Sequence, residues 1–114
     1  MYYMIGYDKC STCLKALKHL KEKNMQVTFF DVKKNPPTKA QLLEVASRVD
    51  NKDLLWNTSG KMYRELDIKS KKHDLTIDQM VTLFLEEGML LKRPILYNDE
   101  KIIVGYKKEI YENL

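Results

Sequence analysis

Cys10-Ser11-Thr12-Cys13 constrains the fold more than any other segment of this chain. It follows an apolar, aromatic run, Tyr2-Tyr3-Met4-Ile5-Gly6-Tyr7, and precedes an amphipathic helical pattern. A C-x-x-C at such a junction predicts a strand, a turn and a helix, with the thiol pair at the turn. A helix that starts at Cys10 or Ser11 sets Cys10 against unpaired N–H groups and the positive end of the helix dipole, which favours the thiolate. Cys13 then lies one turn on, on the same face, where a disulfide needs little backbone movement. Cys10 is therefore the candidate nucleophile and Cys13 the candidate resolving thiol of a reversible redox disulfide. Two plainer readings compete: a pair of buried structural cysteines, and half of a zinc site. Zinc needs two further ligands. The only histidines, His19 and His73, lie far apart without motif spacing, and no metal is expected.

The rest of the pattern builds around that turn. Cys13, Ala16, Leu17 and Leu20 fall at i, i+3, i+4 and i+7, and Asn24 is placed to cap the helix end. Residues 25–32 read as a second strand, so the first three elements form a β-α-β unit with parallel strands. Asn35-Pro36-Pro37 then breaks the chain. Two capping boxes, Thr38 with Gln41 and Thr76 with Gln79, open helices. Their apolar stripes are Leu42, Val45, Ala46 and Val49, and Ile77, Met80, Val81, Phe84 and Leu85. Met62, Tyr63 and Leu66 predict a short helix between them, and Gly88 a helix stop. Two strands, 93–97 and 101–104, flank the turn Asn98-Asp99-Glu100 as an antiparallel hairpin. Ile110 and Leu114 predict a last short helix. The order predicts an α/β fold with a mixed sheet in one domain, 1–114. Its core is thioredoxin-like, of glutaredoxin type, from about residues 1–35 and 89–114, with an all-helical insertion over about 38–88.

A chain of 114 residues suits one domain. Twenty basic against 16 acidic residues give a net charge of +4, and the lysines are spread along the chain. They read as solvated faces rather than a nucleic-acid footprint. No apolar run approaches the ~20 residues that span a bilayer. The N-terminus lacks the basic-then-apolar order of a signal peptide. A cytoplasmic monomer is expected, with no membrane and no direct nucleic-acid contact.

Arg93-Pro94 is the second point of interest. A proline opening a strand beside a redox turn suits a cis peptide. Arg93 would then face Cys10 and hold its thiolate, or an anionic substrate, by charge-assisted hydrogen bonds. It is expected to tune Cys10 more than it stabilises the fold. Ser11, Thr12 and Pro94 complete the expected substrate contacts around Arg93. Lys9 is a second candidate cation. His19 reads as a solvent-facing helix residue, and Met62 and Tyr63 as packing.

Several segments together resemble one family. They are Cys10-x-x-Cys13 followed by Lys15-Ala16; Asn57-Thr58-Ser59-Gly60-Lys61-Met62-Tyr63-Arg64-Glu65-Leu66; Gly88-Met89-Leu90-Leu91-Lys92-Arg93-Pro94-Ile95; and Val104-Gly105-Tyr106. In order and over essentially the whole chain, they resemble the arsenate reductase ArsC/Spx/MgsR family. The resemblance implies a thioredoxin-like fold with a helical insertion and Cys10 as nucleophile. It implies no bound cofactor, with glutaredoxin and glutathione, or thioredoxin, as electron donor. In glutaredoxin-linked reductases three arginines surround the oxyanion, and one of them maps to Arg93. The other two positions fall near Asn57 and Tyr106, neither of them basic, so weak or no arsenate reduction is expected. The Spx branch implies instead a C-x-x-C switch in a regulator that binds the C-terminal domain of the RNA polymerase α subunit. Both an oxidoreductase and a redox-sensing regulator follow from the same pair of thiols.

Overall fold

Along the first strand, Tyr3 and Ile5 point to one side and Tyr2 and Met4 to the other, so the strand must be covered on both faces. In a computed structural model that describes residues 1–114, this strand, β1 (Tyr2–Gly6), is central in a four-stranded sheet. The others are β2 (Val27–Asp31), β3 (Ile95–Tyr97) and β4 (Ile102–Val104), in the order β2-β1-β3-β4. β1 pairs parallel with β2, Ile5 opposite Phe30, and antiparallel with β3, Ile5 opposite Ile95. β3 and β4 form the expected antiparallel hairpin. Its turn is closed by Asn98, whose Oδ1 accepts from the N–H groups of Glu100 and Lys101.

Helix α1 (Ser11–Glu22) crosses from β1 to β2. Its C-terminus folds back at Asn24, which takes φ +57°, while Met25 N–H donates to Leu20 O and Asn24 N–H to Lys21 O. These are the two bonds that satisfy a helix's last carbonyls. The segment between β2 and β3 holds α2 (Lys39–Arg48), α3 (Lys61–Glu65), α4 (Ile68–Lys71) and α5 (Ile77–Glu86), with three short 3₁₀ turns. Both expected capping boxes form, at Thr38 and Thr76. Helix α6 (Lys108–Glu112) follows the hairpin.

The sheet has two cores. On the insertion face Ile5, Ile95 and Tyr97 pack with Leu42, Val45, Trp56 and Phe84. On the opposite face Met4 and Leu96 pack with Ala16 and Leu20 of α1 and Tyr111 of α6.

Four local expectations are corrected. Ile77 and Leu85 flank the buried stripe of α5 and remain partly exposed, because the stripe facing α2 is narrower than the apolar pattern. The last helix buries Tyr111, not Ile110, which stays exposed. Gly88 does not cap α5 in a left-handed conformation. It opens a 3₁₀ turn (Gly88–Leu90) where a Cβ would meet Val32 Cβ at 2.7 Å, so close approach to the end of β2 is what demands glycine. The stretch read as wholly helical also contains one β-bridge, Trp56 to Leu91, flanked by the bonds Asn57 N–H to Leu90 O and Lys92 N–H to Leu55 O. A single bridged pair leaves no periodicity in sequence.

Candidate functional site

The chain leaves β1 at Gly6 and must reverse into α1 within four residues. The turn is held by Cys10 N–H donating to Tyr7 O at 3.1 Å. Cys10 adopts the extended conformation of an N-cap, and its Sγ accepts from Cys13 N–H at 3.4 Å, in the manner of a capping hydroxyl. The two thiols therefore lie on one turn, one at the rim and one beneath it. Cys10 is half-buried, whereas Cys13 is 0 % exposed.

Gly6 makes room for the inner thiol. A Cβ there would lie 3.1 Å from Cys13 Sγ and 3.0 Å from the Phe29 ring. A glycine in an otherwise aromatic strand is the sequence mark of such an approach.

Burial pushes Cys10 up, but hydrogen bonds from the Cys13 thiol and N–H and the Thr12 N–H, together with the nearby positive charge of Arg93, outweigh it and hold the thiol below its ordinary value. Cys13 is pushed up to about 12, first by burial and then by its bond to Cys10. The pair thus divides into an acidic outer thiol and an inner thiol that keeps its proton.

Arg93 comes from the far end of the chain. The Arg93–Pro94 peptide is cis, and the adjacent antiparallel pairing of β3 with β1 carries Arg93 to the mouth of the turn. Its Nη1 donates to Leu91 O at 2.8 Å and to Met89 O at 3.3 Å, and its Cζ lies 5.9 Å from the Tyr7 ring centroid. Arg93 is therefore braced as well as charged.

Ser11 and Thr12 are exposed on the first turn of α1, Thr12 on the wall of a cleft shared with Arg93. Pro94 is buried, and its carbonyl accepts from Gly105 N–H at 2.7 Å. Lys9 is exposed, and the cation that bears on Cys10 is Arg93. His19 is not a solvent-facing residue. It is half-buried, with Nδ1 and the Tyr106 hydroxyl hydrogen-bonded at 2.8 Å and its ring 5.9 Å from that of Tyr111. Only the return of the C-terminal segment over α1 brings these partners together. Asn57 does not face an open site: its Nδ2 donates to Met89 O, the carbonyl that also braces Arg93.

One supporting residue has no motif. Asp31, 3 % exposed at the end of β2, accepts from the N–H groups of Asp8, Lys33 and Lys34 at 2.8, 2.8 and 3.0 Å. Burial alone would push its carboxyl up. The three backbone donors and the Lys34 ammonium hold it below the ordinary value instead. Asp31 so ties the β2 exit to the loop two residues before Cys10. Lys34 in turn pairs with Asp8, and Lys33 lies 5.8 Å from the Tyr7 ring centroid, the ring that also receives Arg93. An acid ending an apolar strand was the one signal for it.

The half-exposed acidic thiol, the buried partner and the braced arginine form a redox-capable site with no cluster of ligands for a metal. The chain is similar to known proteins over most of its length. The YusI protein of Bacillus subtilis is 39 % identical over 108 residues, covering 93 % of this chain and 91 % of that protein. The regulatory protein MgsR of the same organism is 25 % identical over 102 residues, covering 89 % and 79 %. A possible arsenate reductase from Streptococcus mutans superposes with a TM-score of 0.86 at 34 % identity, over 98 % of each chain. The sequence profile of the ArsC family matches residues 5–114, and the chain belongs to that family, with its thioredoxin-like fold.

Proposed function

We propose that this protein is a thiol–disulfide redox protein in which Cys10 attacks and Cys13 resolves. The observation that carries the reading is the inequality of the two thiols. A nucleophile must be accessible and partly ionised near neutral pH, and Cys10 is both half-exposed and acidified. A resolving thiol must be adjacent and quiescent until a mixed disulfide forms, and Cys13 is buried, protonated and one turn away. The electron donor would be a thiol system such as glutaredoxin with glutathione, or thioredoxin. Alkylation across pH tests the assignment. Cys10 in Cys13→Ser protein should react with a midpoint below ~8.5, the value of a free thiol. Cys13 in Cys10→Ser protein should resist. The reverse order of labelling sinks the assignment.

Arsenate is a poor substrate in this reading. Asn57 is engaged by Met89 O and the Tyr106 hydroxyl by His19, leaving Arg93 as the one guanidinium beside Cys10. Two missing guanidinium contacts, which the flexible point charges of exposed lysines do not replace as bidentate donors, cost roughly 3–6 kcal/mol at about 1.5–3 kcal/mol each, or about a hundred- to ten-thousandfold in binding. Assay with glutaredoxin, glutathione and arsenate should give little above background. Saturable turnover would overturn this.

A second reading has the same pair act as a sensor whose oxidation alters binding to the C-terminal domain of the RNA polymerase α subunit. Similarity to the regulator MgsR supports it. A stoichiometric complex of reduced or oxidised protein with purified polymerase would favour the sensor, and turnover with a thiol donor the oxidoreductase.

A further inference from the structure

Beside the redox turn runs a cleft of about 410 Å³ between the first turn of α1, the segment before β3 and the segment after β4. Three of its lining residues are cations, Lys92, Arg93 and Lys107, and none is acidic. None of the three forms an ion pair within the protein, although six other pairs do. Lys92 and Lys107 are exposed, and Arg93 already has its Nη1 directed at backbone carbonyls. The cleft is not a bare charged surface. Leu54, 57 % exposed, and the half-buried Val104 and Tyr106 give it apolar walls. Such a mixture exceeds what a small oxyanion uses, since the apolar walls would touch nothing. It suits a short stretch of chain carrying both carboxylates and an apolar side chain. Thr12 and Arg93 join the cleft to the site, because both belong to its lining and both also bear on Cys10.

We propose that this cleft seats an acidic segment of a protein disulfide, so that the preferred partners of Cys10 are disulfides flanked by aspartate or glutamate. The inference rests on the thiol–disulfide reading and adds the substrate class. In the reaction the Cys10 thiolate attacks one sulfur of the substrate disulfide. A Cys10–substrate disulfide forms, and the other substrate thiolate leaves and takes a proton from water. Cys13 then gives up its proton, its thiolate attacks Cys10 Sγ, and the second substrate thiolate leaves and is protonated. Two electrons pass from the Cys10/Cys13 pair to the substrate, one proton comes from Cys13 and one from water, and the pair ends as a disulfide. The cleft contributes at the first attack by raising the local concentration of acid-flanked disulfides.

The test is a single-turnover reaction of the reduced protein with three disulfide-linked peptide dimers, whose cysteine is flanked by two aspartates, two serines or two lysines. At low salt the acidic dimer should react about tenfold faster than the serine dimer and the lysine dimer slower. In about 1 M salt the three rates should converge. In the double variant Lys92→Glu/Lys107→Glu the order of acidic and basic dimers should invert. The double variant Lys69→Glu/Lys71→Glu, which changes net charge equally on α4 outside the cleft, should keep the original order. Inversion there too would make net charge the cause and overturn the cleft. A small aromatic disulfide bearing carboxylates should gain less over an uncharged analogue than the acidic peptide gains over the serine peptide. An equal gain would overturn the requirement for a segment of chain. Equal rates for all three dimers would overturn the inference while leaving the redox reading standing. A protein inert to every disulfide would overturn both.

Discussion

On the insertion face of the sheet, Leu42, Val45, Trp56 and Phe84 meet Ile5 and Ile95 in one apolar core. On the α1 face, Met4, Leu96, Ala16 and Leu20 share a smaller core with Tyr111, beside Cys13 and the hydrogen-bonded His19 and Tyr106. Burial of that kind is cheap for leucine and costly for a thiolate or phenolate. It pushes Tyr111 up, and it pushes Cys13 up to about 12. The larger core holds no thiol and carries most of the apolar burial that stabilises the fold. The smaller one also seats the hydrogen-bonded His19 and Tyr106 at its edge, while Cys13 itself is governed by burial and by Cys10. The faces meet at residues 89–93, where the Trp56–Leu91 bridge and the carbonyls of Met89 and Leu91 let the insertion hold Arg93 over Cys10.

Substitutions can break this division at several depths. The largest effect is expected in the insertion core. Leu42→Ala should lose about 2–5 kcal/mol of stability in chemical denaturation. The alkylation midpoint of Cys10 in the folded protein should stay put. A shifted midpoint would mean that the two faces are coupled through the sheet.

Gly6→Ala strikes the other face. The new methyl group must displace Cys13 Sγ or the Phe29 ring, both near 3 Å from it. A cost of about 1–3 kcal/mol is expected from overpacking. Closure of the Cys10–Cys13 disulfide should also slow, measured by quenched-flow alkylation. Unchanged closure would show that Phe29 alone yields.

Asp31→Asn sharpens the comparison at the rim. One backbone donor loses its acceptor to the amide NH2 and the other two keep only a neutral oxygen, at about 1–2 kcal/mol. The sign of the pH dependence follows from the depressed carboxyl. Its contribution is complete above the unfolded value of about 3.9 and is lost as pH falls through the lower folded value. The stability gap between wild type and Asp31→Asn should therefore be constant near neutral pH and close in acid. A gap that persists in strong acid would point to shape rather than charge.

Arg93→Ala is the smallest change in reactivity. Arg93 acts on Cys10 behind the hydrogen bonds from Cys13. The Cys10 midpoint should rise by up to about 1 unit, read by iodoacetamide rates across pH. An unchanged midpoint would leave the capping geometry as the sole source of acidity. A stability loss beyond that of a solvated arginine is also expected, since Leu91 O loses its side-chain donor and Met89 O keeps only that of Asn57.

Much of this was legible in the residues. The position of Cys10 and Cys13 between an apolar strand and an amphipathic helix names the turn. Thr38 with Gln41 and Thr76 with Gln79 form the boxes that their spacing predicts. These are local devices, decided within a few residues of chain, so local pattern suffices. Arg93 was placed near Cys10 by strand order and family resemblance together, but nothing in its neighbours disclosed the carbonyl brace. Asp31 and His19 were missed or misread because their partners lie elsewhere: Asp8 is 23 residues from Asp31, and Tyr106 is 87 from His19.

By itself, then, the sequence determined the β-α-β start, the helical middle, the hairpin and the pair of cysteines at a helix N-terminus. Each follows from periodicity, capping and turn chemistry that act over one or two turns of chain. Only the tertiary structure decided that Cys13 is sealed beneath Gly6 and Phe29 while Cys10 stays at the rim, and that Lys92, Arg93 and Lys107 gather on one cleft. Burial and Coulomb energy depend on what lies within a few ångströms in space, and packing brings those neighbours from both ends of the chain.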